Sequence, residues 1–132
     1  MIELEPAIQA LMKNEVEFVV VGGVAITAYG SAYITQDLDF CYLRSPSNLK
    51  KIADALAPFN PRLRGFPKES PFVWDERTLL NGTTFTLDTD LGDIDLLGEV
   101  SGVGDFADLK KSSKKLKLCG ILVDVISIGR FD

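Results

Sequence analysis

Two aspartates separated by one residue, at the start of an apolar run, constrain this chain more than any other feature. Asp37 and Asp39 lie in the segment VVVGGVAITAYGSAYITQDLDFCY, residues 19–42. On a β-strand alternate side chains leave the same face, so both carboxylates would point the same way. Because adjacent anions repel, a fold that keeps them together usually places a cation between them. The pair therefore predicts a metal site.

A pair of glycines precedes these aspartates. Gly22-Gly23 ends an apolar run and opens a predicted helix, VAITAY, whose first backbone N–H groups would be able to bind an anion. A tight turn between strand and helix would also explain the glycines, but the D-x-D pair downstream favours a phosphate site. Ser31 and Thr35 could contact the same phosphate, although Thr35 could instead brace the turn before Asp37. A cation site beside a phosphate site is typical of phosphoryl and nucleotidyl transfer.

A third carboxylate lies in the segment GDIDLLGEV, where Asp93 and Asp95 repeat the spacing of one strand face. Asp95 is the stronger candidate for the site, because it lies within the apolar run IDLL. A carboxylate buried there destabilises the fold unless it has a function. Asp93 is closer to the Gly92 turn and could be a solvated turn residue. We therefore expect Asp95 to complete the metal site or to accept the proton of an attacking hydroxyl.

A glycine pair, a D-x-D pair and a later strand aspartate, in this order, resemble the sequence pattern of the nucleotidyltransferase fold of the DNA polymerase beta superfamily. The resemblance is greatest to small bacterial nucleotidyltransferases of the abortive-infection and toxin–antitoxin type. It continues through Asn48 and the segment ADAL to GDIDLLGEV and the final LCGILVDVISI, which is nearly the whole chain. The positions that match the family's pattern of glycines, Thr and Asp-Leu-Asp are Gly22, Gly23, Ala25, Gly30, Thr35, Asp37, Leu38 and Asp39.

The resemblance implies a metal-dependent transfer of an NMP from an NTP to a hydroxyl group, with Mg²⁺ or Mn²⁺ as the cofactor. The sequence does not identify the acceptor, which is expected to be an RNA end such as tRNA, a protein, or a small molecule such as an antibiotic. A cognate partner protein is expected if the chain acts in a toxin–antitoxin pair. The residues implied in catalysis and metal binding are Asp37, Asp39 and Asp95, and those implied in nucleotide binding are Gly22, Gly23, Ser31 and Thr35.

Two departures from the family's pattern favour an alternative function, a nucleotide-binding or partner-binding module without catalysis. Relatives often carry a basic residue where this chain has Tyr33, and a histidine where it has Tyr29. They also usually continue into a further helix, whereas this sequence stops at Asp132 and so resembles a minimal domain over residues 1–132. The three aspartates favour catalytic activity, because repulsion between clustered anions destabilises a fold in which they have no function.

Composition limits the class of protein. At 132 residues, with a formal net charge of −5, the chain is expected to form one domain that does not coat nucleic acid nonspecifically. It has no apolar run of membrane-spanning length, and its acidic N-terminus is unlike a signal peptide, so a cytoplasmic protein is expected. The absence of histidine excludes serine–histidine and cysteine–histidine catalysis and imidazole zinc sites. Cys41 and Cys119 lie in apolar segments and are expected to be buried free thiols.

Hydrophobic periodicity predicts an α/β (α+β) fold, with a mixed, twisted sheet and helices packed mainly on one face. Residues 16–21 are apolar enough for a central strand, and residues 58–71, with four prolines, are predicted to be an irregular loop or lid. Ser45 is predicted to cap the helix that follows it. The other predicted elements are helices over 3–13, 23–29 and 75–82, strands over 38–43, 83–88 and 93–97, a helix or loop over 105–113, and a hairpin that bends at Cys119-Gly120.

Other charged residues have two interpretations each. The basic run KKSSKKLK, residues 110–117, is either a solvated face or a patch that guides a phosphorylated acceptor or RNA end. Arg62, Arg64 and Lys68 form a second candidate for phosphate contact. Asp124 is either a solvent-facing edge residue or a fourth carboxylate near the site, and the sequence does not decide.

Self-association is also expected from the sequence. The segment ILVDVISI, residues 121–128, is a long apolar strand, and as a bare sheet edge it would favour pairing with another chain. A homodimer would cover this edge and could bring the basic run of one subunit to the aspartates of the other. Alternatively, the helix over residues 3–13 covers the exposed face and a monomer suffices.

Overall fold

A computed structural model describes residues 1–29, 37–67, 69 and 71–127. The helices are α1 (Leu4–Lys13), α2 (Gly22–Ala28), α3 (Pro46–Leu56), α4 (Glu76–Leu80) and α5 (Phe106–Lys111), with a short 3₁₀ helix, Ala57–Phe59, after α3. The strands are β1 (Phe18–Val21), β2 (Asp37–Tyr42), β3 (Arg62–Leu63), β4 (Thr84–Thr89), β5 (Gly92–Leu97), β6 (Glu99–Val100), β7 (Gly104–Asp105), β8 (Ser113–Leu118) and β9 (Ile121–Ile126). No helix within these described ranges is long and apolar enough to cross a membrane.

The strands of the described residues form one large sheet and one small ribbon. The large sheet has seven strands in the order β3-β4-β5-β2-β1-β9-β8, and β6 and β7 form a separate two-stranded ribbon. β2 pairs in parallel with β5, and β1 with β9, whereas the other pairs of the large sheet are antiparallel. The predicted mixed sheet is confirmed. The predicted central position of β1 is also confirmed, since β1 lies between β2 and β9 and all of its residues are buried.

The two faces of the large sheet are covered differently. Alternate residues of the central strands, among them Leu38, Phe40 and Ile94, are buried in a core shared with α1, α2, α3 and α4. On the opposite face, Phe106 and Leu109 of α5 pack against β1 and β2 in a smaller cluster. The prediction that helices lie mainly on one face is therefore confirmed. The aspartates of β2 and β5 lie on the second face and are only half-buried.

A buried amide fixes α3 to the sheet. Ser45 caps this helix as predicted, since its side chain accepts a hydrogen bond from the backbone N–H of Asn48. The Asn48 side chain is fully buried, and its Oδ1 accepts from the backbone N–H of Glu17 at 2.8 Å. Its Nδ2 donates to the carbonyl oxygens of Glu17 at 3.1 Å and Leu43 at 2.7 Å. One side chain thus satisfies backbone groups of the residue before β1 and the residue after β2.

Two expectations about the sheet edges are wrong. The proline-rich segment contains β3, which forms an edge of the sheet by pairing with β4. β9 is not a bare edge, because it is paired on both sides, with β1 and β8. The edge beyond it is β8, whose three lysines discourage the addition of another strand. β9 is therefore not an exposed apolar edge and gives no support to the homodimer, which stays a prediction.

The two cysteines also differ from expectation in part. Both are free thiols, as expected. Cys41 is buried in β2, whereas Cys119 is exposed, contrary to the expectation that both are buried. Cys119 lies at the tip of the β8–β9 hairpin with a φ of +53°, so its side chain leaves the sheet at a turn.

Replacing Asn48 by Ala is expected to lower the free energy of unfolding by about 3 kcal/mol, because three hydrogen bonds of a fully buried side chain to the backbone beside β1 and β2 are lost. Urea unfolding followed by circular dichroism measures the change. Asn81→Ala, at an exposed position that follows α4, is the control and should cost less than about 0.5 kcal/mol. A loss for Asn48→Ala as small as that of the control would contradict the role of the buried amide.

Candidate active site

The candidate site is created by the register of two parallel strands. Asp37 and Asp39 of β2 lie directly beside Asp93 and Asp95 of β5, in that order. Because paired residues project from the same face of a sheet, the four carboxylates form one group. One oxygen atom from each of Asp37, Asp39 and Asp95 lies within 4.8 Å of the others. The structure thus brings together the three carboxylates that the sequence singled out.

The surroundings of Asp39 perturb its carboxyl group. Burial raises its pKa to about 7, and the charge of Asp37, a hydrogen bond with Asp95 and the charge of Asp95 add to the effect, while Arg64 opposes it. The Oδ1 atom of Asp39 is buried and has no hydrogen-bond partner among the described residues. A buried, unpaired carboxylate oxygen beside two other carboxylates fits a divalent cation, since hard cations prefer oxygen ligands.

Gly22 brings the start of α2 against Asp39. Its φ is +70°, in the left-handed region that favours glycine. A β-carbon at this position would lie 2.4 Å from Oδ2 of Asp39, so a larger residue would have to move the carboxylate. The sequence predicted that the glycine pair and the D-x-D pair belong to one site, and the structure places Gly22 in contact with Asp39. Gly23 follows in the first turn of α2.

A cation of the protein itself contacts the carboxylates. Nη2 of Arg64 donates a hydrogen bond to Oδ1 of Asp95 at 2.6 Å. Nε lies 3.3 Å from Oδ2 of Asp93, close enough for an ion pair but not aligned for a hydrogen bond. The sequence grouped Arg64 with Arg62 as a phosphate contact and did not link it to the aspartates. That link depends on β3, for which the sequence contains no periodic signal.

Other candidate residues lie away from this group or outside the described residues. Ser31 and Thr35 fall within residues 30–36, and Lys68 is likewise outside the part of the chain that the structure describes. Arg62 lies 3.9 Å from Asp88 of β4 and pairs with that carboxylate. The phosphate contacts predicted for these residues stay predictions.

Asp124 is paired with lysines rather than with the aspartate group. Lys110 of α5 forms an ion pair with it, and Nζ of Lys115 on β8 lies 2.9 Å from its Oδ1. Burial alone would raise the pKa of Asp124, but the hydrogen bonds from the two lysines outweigh burial and lower the pKa. These two lysines of the basic run therefore have a structural role, which joins α5 and β8 to β9.

An apolar cavity of about 450 Å³ opens beside Gly22. Aliphatic side chains from β1, α2, α5, β9 and the small ribbon line it: Val21, Ile26, Val100, Val103, Leu109 and Ile126. Gly22 borders both this cavity and Asp39. A ligand held at the carboxylates would have space here for an apolar group.

The fold is similar to that of a solved structure, the crystal structure of a "putative nucleotidyltransferase" from Thermotoga maritima. The TM-score is 0.60 at 18% sequence identity, and the match covers 97% of this chain and 81% of that chain. The sequence matches no protein-family model and no curated protein. At this identity the similarity concerns the fold, so the chain has a nucleotidyltransferase-like fold, as the sequence predicted.

Gly22→Ala is expected to destabilise the protein by about 2 kcal/mol, because alanine is strained at this φ and the added methyl group overlaps Asp39. Gly65→Ala is a matched control, since its φ is +84° but no described atom lies within 4 Å of an added β-carbon. It should lose about 1 kcal/mol through backbone strain alone. Urea unfolding of both variants measures the difference, and equal losses would contradict the close approach of Gly22 to Asp39.

Asp39→Asn is expected to stabilise the metal-free protein by an amount that grows as the pH rises from 3.8 to about 7. The folded-state pKa of Asp39 lies above its unfolded value, so over this range the carboxyl group is ionised in the unfolded chain but still protonated in the folded protein, and the wild type loses stability as the pH rises. An amide cannot ionise and does not cause this loss. Thermal unfolding of both proteins in chelator-treated buffers measures the effect. If the difference in midpoint stays constant with pH, the raised pKa is wrong.

Proposed function

We propose that this protein is a metal-dependent nucleotidyltransferase, which transfers an NMP from an NTP to a hydroxyl group of an acceptor. The observation that carries the proposal is the convergence of Asp37, Asp39 and Asp95, one of which, Asp39, has a buried Oδ1 atom without a partner in the described residues. The similarity in fold to the Thermotoga maritima structure supports the same conclusion.

The three aspartates would hold Mg²⁺ or Mn²⁺. Their carboxylates are hard, charged ligands on two central strands, which suits either ion. A bound ion supplies positive charge that neutralises the phosphates of the NTP and favours attack at the α-phosphorus. Asp39 suits this role because burial and the charge of Asp37 raise its pKa and so disfavour its ionised form, which a bound cation would stabilise.

The start of α2 would hold the phosphates of the nucleotide. Gly22 lies against Asp39 and is exposed, so a ligand can reach its main chain, and Gly23 follows in the first turn of α2. Ser31 and Thr35 are proposed as further phosphate contacts, on the resemblance of the sequence to the family.

Asp95 would act on the acceptor. We infer that its carboxylate takes the proton of the acceptor hydroxyl as the oxygen forms a bond to the α-phosphorus in line with the leaving pyrophosphate. Asp95 lies directly beside Asp39 in the sheet, so the base and the bound phosphate would be neighbours.

The acceptor is proposed to be an RNA end such as tRNA, a protein, or a small molecule such as an antibiotic. A role of the abortive-infection or toxin–antitoxin type would add a cognate partner protein. Three lysines of the basic run are exposed and do not pair with Asp124 among the described contacts: Lys111, Lys114 and Lys117. They would be available to a phosphorylated acceptor.

A nucleotide-binding or partner-binding module without catalysis is the second candidate function. The ion pair between Arg64 and Asp95 favours it, because a carboxylate neutralised by a guanidinium is less available to a metal or a proton. The unpaired Oδ1 of Asp39 favours activity, since such a group destabilises a protein that has no use for it.

Isothermal titration calorimetry with Mg²⁺–ATP and Mg²⁺–CTP tests nucleotide binding. We expect the wild type to bind at least one nucleotide and Asp39→Asn to bind it about 100-fold more weakly, because a metal ligand is lost. Asp54→Asn, at an exposed carboxylate that pairs with Lys50 on α3, is the control and should bind as the wild type does. No binding of either nucleotide by the wild type would contradict the proposal.

Radiolabelled NTPs separate the two candidate functions. The label should pass to one acceptor class when tRNA, aminoglycosides, lincosamides and co-purifying proteins are offered in turn. Nucleotide binding without any transfer would instead support the module without catalysis.

A further inference from the structure

Arg64 forms ion pairs with two carboxylates of the candidate site in the ligand-free protein. Its Nη2 lies 2.6 Å from Oδ1 of Asp95 and 2.9 Å from the carbonyl oxygen of Leu87, and its Nε lies 3.3 Å from Oδ2 of Asp93. The guanidinium therefore bridges β4 and β5 at the border of the aspartate group. The side chain of Arg64 is 32% exposed and that of Asp95 is 18% exposed, so water only partly screens this ion pair.

This contact opposes the binding of any other cation to Asp95. A guanidinium stays charged throughout the physiological pH range, so it cannot yield by losing a proton. A divalent ion on the same carboxylate would lie close to that charge, and repulsion between cations is strong at short distance in a partly buried site. Movement of the guanidinium away from Asp95 would therefore favour the binding of an ion there.

The structure allows the side chain to move while the backbone stays in place. The backbone N–H of Arg64 donates to the carbonyl oxygen of Thr86 at 2.9 Å, which holds the main chain against β4. Residues 65–67, which follow, are exposed, so the space beside Arg64 opens to solvent. Rotation about the side-chain bonds alone would release Asp95.

From these contacts we propose that Arg64 is an internal counter-ion, which neutralises Asp95 in the metal-free protein and is displaced when a divalent cation binds there. The inference rests on the proposed metal-binding role of the aspartates. Arg64 thereby has two opposite effects: it stabilises the metal-free fold by pairing with two of the clustered carboxylates, and it weakens the affinity of the site for a divalent cation. Once displaced, its fork of N–H groups is suited to bind the phosphates of an NTP.

Calorimetric titration of the metal-free full chain with Mn²⁺ tests this inference. Arg64→Gln should bind Mn²⁺ about tenfold more tightly than the wild type, because a competing positive charge has been removed. Arg62→Gln is the matched control. It removes an arginine two residues earlier, on β3, whose partner is Asp88 at 3.9 Å, so its affinity for Mn²⁺ should equal that of the wild type.

Thermal unfolding gives a second readout that does not require activity. In metal-free buffer Arg64→Gln should unfold at a lower temperature than the wild type, because the carboxylates have lost their counter-ion. Saturating Mn²⁺ should raise the midpoint of Arg64→Gln by more than it raises that of the wild type. A far-UV circular dichroism spectrum equal to that of the wild type shows that the variant is folded.

Each result of the titration has a definite meaning. Tighter binding by Arg64→Gln, or binding by that variant alone, would support the inference. Equal affinities, or weaker binding by Arg64→Gln, would overturn it and leave the proposed function standing. No Mn²⁺ binding by the wild type or by either variant would overturn both the inference and the metal-binding role of the aspartates.

Discussion

The in-register, parallel pairing of β2 with β5 is the constraint on which the candidate site depends. It sets Asp37 beside Asp93 and Asp39 beside Asp95, so that four like charges share one face of the sheet. Repulsion between the carboxylates opposes this arrangement, but the residues that alternate with them are apolar and buried in the main core. A slip of one residue would move aspartates into that core and expose the apolar side chains, so burial on one face fixes the charges on the other.

The concentrated charge accounts for the unusual features around the aspartates. Arg64 reaches from the segment after β3 to pair with Asp95, and burial together with the charge of Asp37 raises the pKa of Asp39. Gly22 approaches Asp39 more closely than any residue with a β-carbon could. Arg64 reduces the repulsion without removing it, and Oδ1 of Asp39 has no partner in the described part of the chain. A divalent cation would neutralise the remaining negative charge of the carboxylates, and this is the physical basis of the proposed function.

Local patterns in the sequence predicted those parts of the structure that neighbours along the chain determine. The spacing of Asp37 and Asp39 predicted their shared face, and Ser45 marked the start of α3, because strand alternation and helix capping are local. The errors concern pairing between distant segments. β3 has two residues, too few for a periodic pattern, yet its pairing with β4 brings Arg64 to the site. The expectation of an exposed β9 fails for the same reason, since an apolar run does not indicate which strands lie beside it.

Diffraction from crystals of the protein grown with Mn²⁺ and a non-hydrolysable NTP analogue tests most directly whether the aspartates form a cation site. Anomalous scattering locates manganese without assumptions about its ligands. We predict an anomalous peak within coordination distance of carboxylate oxygens of Asp37, Asp39 and Asp95, with the guanidinium of Arg64 moved away from Asp95. Crystals with saturating Mn²⁺ that show no peak at these carboxylates, and an Arg64–Asp95 ion pair still in place, would contradict the cation site.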